Sequence, residues 1–108
     1  MKITIIGSHA YATNMNIHKE KLIKEGHEAM VPAFDNFPGM DDYAVCKYNR
    51  KLIEQADEVH MFWDQRSLGT IFDMGMVFAL RKKMRIIYLE EKTLRGVFEK
   101  YSKDILGE

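Results

Sequence analysis

The sequence predicts a parallel α/β fold, and three observations carry that prediction. Short apolar, strand-like runs alternate with helix-length amphipathic stretches in the order β-α-β-α-β-α-β-α. The chain has 108 residues, enough for one core and one domain spanning residues 1–108. No internal repeat, low-complexity tract or linker breaks the alternation. Together these call for a Rossmann/flavodoxin-like three-layer sandwich. Its parallel sheet should have about four strands in the order 2-1-3-4, with helices on both faces and right-handed crossovers.

Each element has a local reason. Lys2–Ile6 is short and β-branched and ends at Gly7. Asn14–Glu25 reads as a helix with Met15, Leu22 and Ile23 on one side and Lys19, Lys21, Lys24 and Glu25 mostly on the other; Gly26 stops it. Glu28–Val31 is a second strand, closed by Pro32. Asp41–Gln55 is a second helix with Asp41 or Asp42 as N-cap and an apolar stripe of Val45, Tyr48, Leu52, Ile53 and Ala56. Glu58–Trp63 is the third strand, Leu68–Lys82 the third helix, Arg85–Leu89 the fourth strand and Thr93–Ile105 the closing helix.

Composition narrows the function classes. Sixteen Lys and Arg balance sixteen Asp and Glu, so the excess of basic charge usual in nucleic-acid or membrane-surface binders is missing. No apolar run approaches the ~20 residues of a membrane helix, and a strand from the second residue leaves no signal peptide. Cys46 is alone, which excludes an intramolecular disulfide, and it reads as a semi-buried helix residue. Eight methionines and one free thiol suit a cytoplasmic setting. His9, His18, His27 and His60 lack metal-ligand spacing and read as structural, so no metal site is expected.

In such sheets ligands bind beyond the carboxyl ends of the strands. The junction after the third strand, Trp63 to Gly75, is the most informative. Ser67 is a helix cap candidate, and the helix start offers unpaired N–H groups and a positive dipole end suited to phosphate. Gly69 allows close approach and Arg66 adds a cation, although Ser67 capping a helix beside a solvated Arg66 explains the same residues. Between Leu68 and Leu80 the polar side chains are Thr70 and Asp73. An acid in so apolar a helix needs a cleft, hydrogen bonds or a raised pKa, all features of catalytic carboxylates; placement near the helix dipole is the plain alternative.

The same helix is apolar nearly all round, which points to burial on two sides and a homodimer through helix 68–82. Met74, Met76, Val77 and Leu80 would otherwise lie exposed, unless the closing helix covers them. Asn49 shares the inner face of its helix with Val45, Leu52 and Ile53, at a sheet edge or a ligand. The first loop, Gly7 to Asn14, lacks the dinucleotide and phosphate-loop glycine patterns, yet Ser8 and Tyr11 stand where a ligand would. Phe34–Met40 reads as a mobile flap whose aromatics, with Trp63, could stack on a base.

The constellation resembles the nucleoside 2-deoxyribosyltransferase-like superfamily, which includes 2'-deoxynucleoside 5'-phosphate N-hydrolases. "IIGS" followed by a helix and "EGHEAMVP" is similar to the family's opening. "NRKLIEQADEVHMFWD" looks like its helix ending in Ala-Asp. "SLGTIFDMGMVFAL" is similar to its signature Ser-Leu-Gly-x-x-x-Glu-x-Gly-x-Ala. The resemblance implies that Asp73 holds the place of the nucleophilic Glu, attacking C1' of the sugar. It also implies that Ser67, with Leu68, Gly69 and Thr70, holds a 5'-phosphate and that Tyr11 assists. Counting eight back from Asp57 gives Asn49, where the family has Asp.

Two departures follow: Asp73 is one methylene shorter than Glu, and Asn49 cannot act as a base. The expected activity is cleavage of the N-glycosidic bond of a nucleotide, by hydrolysis or transfer, with Gly7, Ser8, Trp63 and Asp64 around the substrate. An oxocarbenium-like path flanked by carboxylates calls for no metal or organic cofactor. The alternative is a nucleotide-binding sensor or sequestering protein of the same fold without turnover. The expected partner is a small nucleotide or nucleoside, not a nucleic-acid polymer or a membrane.

Overall fold

A computed structural model of the chain describes residues 1–32, 39–90 and 94–107. Four strands form one parallel sheet in the order β2-β1-β3-β4: β1 Lys2–Gly7, β2 Glu28–Met30, β3 Glu58–Trp63 and β4 Lys83–Leu89. The helices are α1 Ala12–Lys24, α2 Asp42–Gln55, α3 Leu68–Ala79 and α4 Leu94–Leu106, with a short 3₁₀ turn at His9–Tyr11. The α/β class, the strand order and the succession of four strands and four helices match the sequence reading, which did not foresee the 3₁₀ turn. Of the flap read at Phe34–Met40, residues 34–38 lie outside the described residues.

Two apolar layers sandwich the sheet. On one face Met15 and Leu22 of α1 pack with Ile3, Ile5, Ala29 and Phe62. On the other, Ile53 of α2 and Val77 of α3 pack with Ile6, Val59 and Met61. Central parallel strands are buried on both faces, which explains the unbroken burial of β1 from Ile3 to Gly7. Asp57 anchors the far end of the sheet: its carboxylate accepts from the Lys2 N–H at 2.8 Å, and its own N–H donates to the Lys2 carbonyl at 2.7 Å.

Several boundaries and faces differ from expectation. Ile23 is exposed, because the buried stripe of α1 is narrow and runs through Met15 and Leu22. α3 stops at Ala79 and not at Lys82, since Arg81 takes a left-handed φ of 56° and the Lys82 N–H closes back on the Val77 carbonyl. The Lys82 ammonium then caps α2, donating to the carbonyls of Glu54 and Ala56. β4 accordingly starts at Lys83. Val77, expected on an exposed stripe, is buried against Ile6, and Met74 and Met76 are half-buried around it; Leu80 is exposed.

A polar cluster interrupts the α1 face. His18 on α1 and His60 on β3 share a hydrogen bond, and His60 Nε2 lies 3.4 Å from Glu58 Oε1. Arg85 of β4 donates its Nε–H to the same Glu58 oxygen. β4 is exposed along its whole length, and among the described residues α4 makes no extensive contact with another element. The molecule is correspondingly elongated, 53 × 33 × 28 Å.

Candidate functional site

The order 2-1-3-4 reverses between β1 and β3, the switch point beyond which ligands bind in sheets of this kind. Gly7 ends β1 in register with Phe62, and the Ser8 N–H donates to the Phe62 carbonyl at 3.1 Å. A side chain at position 7 would meet that carbonyl: a Cβ would lie 2.4 Å from it and 2.8 Å from the Met15 sulfur. Glycine is therefore required for β1 and β3 to lie this close. Buried Ser8 donates its hydroxyl to Asp64 Oδ1 at 3.1 Å, which ties the two strand ends together. The same carboxylate oxygen accepts the Arg66 N–H at 3.0 Å, and Gln65 turns the chain with a φ of 63°.

That turn delivers Ser67 to the start of α3. Its Oγ accepts from the Thr70 N–H at 3.3 Å and from the Thr70 hydroxyl at 3.1 Å, so its own proton remains available to donate. The Leu68 and Gly69 N–H groups precede the first backbone bond of the helix, Ile71 N–H to the Ser67 carbonyl. Both residues are exposed, as is Arg66. Donors and dipole thus meet at one open helix end, directly after the exposed Arg66, a setting that favours an anion.

Asp73 follows on the inner stripe of α3 with Thr70 and Val77, and is 6% exposed. It stands about 9 Å along the helix axis from Ser67. Asn49 is 5% exposed on the inner stripe of α2, and α2 and α3 pack against each other on one face of the sheet. Burying a carboxylate and an amide among Val45, Leu52, Ile53 and Val77 is costly unless both are hydrogen-bonded.

Tyr11 closes the opposite side. Its hydroxyl donates to Glu90 Oε2 at 2.6 Å, its ring stands edge-on to Tyr88 with centroids 5.1 Å apart, and the Glu90 N–H donates to the Trp63 carbonyl at 2.9 Å. Burial, the Glu90 hydrogen bond and the negative charges of Glu90 and Asp64 push the Tyr11 phenol well above its ordinary pKa. At neutral pH it is therefore a proton donor and not a base.

The structure brings Gly7, Ser8, Asp64, Arg66 and Ser67 together at the adjoining ends of β1 and β3. It does not put Tyr11 and Trp63 on one face. Tyr11 packs against the α1 layer and Trp63 against the α2/α3 layer, where the indole Nε1 is buried with no hydrogen-bond partner. Glu90 was missed from the sequence, although an acid directly after a strand stands at the level where ligands bind. Among the described residues no group of three or more His, Cys, Asp or Glu is arranged to hold a metal. No helix there is long and apolar enough to cross a membrane.

No family model and no curated protein matches the sequence. Among solved structures the chain is similar to the CMP N-glycosidase BcmB of Clostridium botulinum. The two superpose with a TM-score of 0.58 and 19% identity, over 89% of this chain and 80% of that one. At that identity the likeness is one of fold, and it agrees with the fold implied by the nucleoside 2-deoxyribosyltransferase-like resemblance. The chain is thus an α/β protein with the fold of a CMP N-glycosidase.

Proposed function

We propose that the protein cleaves the N-glycosidic bond of a nucleotide or (deoxy)nucleoside 5'-monophosphate, by hydrolysis or transfer. One observation carries this reading: an exposed, Ser67-capped helix end on the same helix as the buried carboxylate of Asp73. The fold shared with a CMP N-glycosidase supports it. In this reading the Ser67 hydroxyl and the N–H groups of Leu68 and Gly69 hold phosphate, with Arg66 beside them and Thr70 behind them. The Thr70 N–H already donates to Ser67, so it serves by fixing the cap. Asp73 attacks C1' or activates water, Asn49 holds sugar hydroxyls, and Gly7, Ser8, Asp64 and Trp63 border the substrate. Tyr11 assists as a proton donor positioned by Glu90.

The test is incubation with a panel of nucleoside monophosphates and chromatographic detection of free base. Base release that survives Asp73→Ala unchanged rejects the assigned role. A second reading, binding without turnover, is favoured by the uncharged Asn49 and the short Asp73 at two positions where the resemblance implies longer or charged acids. Calorimetric binding of a nucleotide with no base released over long incubation would select it.

The reading includes a homodimer through helix 68–82 in a cytoplasmic protein. Its support is the outer surface of α3, where Leu68, Ile71, Phe72 and Phe78 are open to solvent, Phe78 at 87%.

A further inference from the structure

We infer that α4 is an exchanged arm: in a two-fold dimer it lies on the uncovered β4 face of a second copy of this chain. The inference rests on the dimer reading above and says what that dimer is built from.

α4 has the pattern of a helix made to cover a sheet. Leu94, Val97, Phe98, Tyr101 and Ile105 recur at helical spacing, while Arg95, Glu99, Lys100 and Lys103 occupy other sides. All five apolar side chains are more than half exposed in their own chain. The sheet shows the matching deficit. Met84, Ile86 and Leu89 of β4 pair with Val59, Met61 and Trp63, whose side chains pack in the α2/α3 layer. On that face α3 packs inward, with Val77 against Ile6 of β1, and the strip of β4 beside it is left open.

The chain thus carries a helix without a sheet and a sheet face without a helix. Three residues separate Glu90 from Leu94, and the body that α4 follows is part of a molecule 53 Å in its longest dimension. The eight side chains leave uncovered an apolar area on the order of 900 Å² per protomer, against the roughly 800 Å² per partner of a standard stable interface. A typical monomer's largest patch is about 300–600 Å². Reciprocal exchange fills both deficits with one contact made twice, as a closed two-fold interface requires.

The experiment uses the full-length chain. Sedimentation at micromolar concentration should give twice the monomer mass. NMR on co-refolded ¹³C-labelled and unlabelled chains, filtered for contacts between them, should show the Phe98 and Tyr101 rings against the methyl groups of Ile86 and Leu89. Phe98→Glu combined with Tyr101→Glu should weaken dimerisation at least tenfold with the circular dichroism of the body retained. A dimer whose α4 contacts are all within one chain overturns the exchange and leaves the α3 dimer standing. A monomer overturns both.

Discussion

The imidazoles of His18 and His60 share a hydrogen bond of 2.8 Å from Nε2 to Nδ1, under the edge of the Phe62 ring. One ring donates and the other accepts, so the accepting ring at least must be neutral. Burial lowers both pKa values. For His18 the neighbouring His60 and Lys21 add to that lowering, and for His60 Arg85 does so against the opposing pull of Glu58. The unfolded chain therefore binds protons below its ordinary 6.5 that the folded chain refuses. Stability should be level above that pH and fall as pH drops beneath it, by at most about 1.4 kcal/mol per pH unit for each imidazole. Urea unfolding at pH 7.5 and at pH 5.5 measures this, and a flat profile contradicts it.

Glu58 should extend the same loss to stronger acid. Burial alone would raise its pKa, but the Arg85 hydrogen bond and charge, with His60, outweigh burial and hold it below its usual range. Its stabilisation is present above the ordinary carboxylate pKa and lost as pH falls through the lowered one. Glu58→Gln should remove this lower limb of the stability profile, which thermal melts from pH 5 to pH 2 would record.

Gly7→Ala should be among the most damaging small substitutions. The added methyl meets a backbone carbonyl at 2.4 Å, and backbone cannot rotate away. Overpacking of this kind costs about 1–3 kcal/mol or more. A drop in Tm of at least 5 °C, roughly what 1 kcal/mol gives at this size, is the expected result.

Ser67→Asp separates capping from anion binding. Aspartate caps helices as well as serine and suits the dipole, so stability should stay within about 0.5 kcal/mol. The new charge opposes phosphate. Affinity for a nucleoside 5'-monophosphate should fall at least tenfold by calorimetry, while affinity for the nucleoside itself holds. Equal losses for both ligands would take phosphate away from this helix end.

Asp73→Asn keeps the shape of the buried side chain and removes its charge. Base release should fall at least a hundredfold, the low end of what a positioned acid or base contributes. Retained melting behaviour would assign the loss to chemistry.

The fold was legible because its signals are local and repeated. Alternating strands and amphipathic helices are written in Ile3, Ile5 and Met15 and in Val45, Leu52 and Ile53, all of them buried. Helix ends were legible where glycine makes them. Gly26, at a φ of 92°, ends α1 as expected, whereas Arg81 ends α3 with the same left-handed geometry and nothing in its chemistry announces it. The Ser67 cap and the inward face of Asn49 followed from spacing, whereas Asp73 stood out by being an acid in an apolar helix, and the structure buries it. Glu90 did not, because its bond to Tyr11 joins residues 79 apart in sequence. The His18–His60 pair was read as structural histidines, but their mutual contact depends on how α1 lies across β3.

The indole of Trp63 sits half-buried at the end of β3 with its N–H unpaired, one residue before Asp64 and four before Ser67. It is also the chain's single tryptophan. The protein therefore carries its own fluorophore at the β3 end of the candidate site. Its emission is a label-free readout against which nucleotides, sugars and simple anions can be ranked before any product is sought.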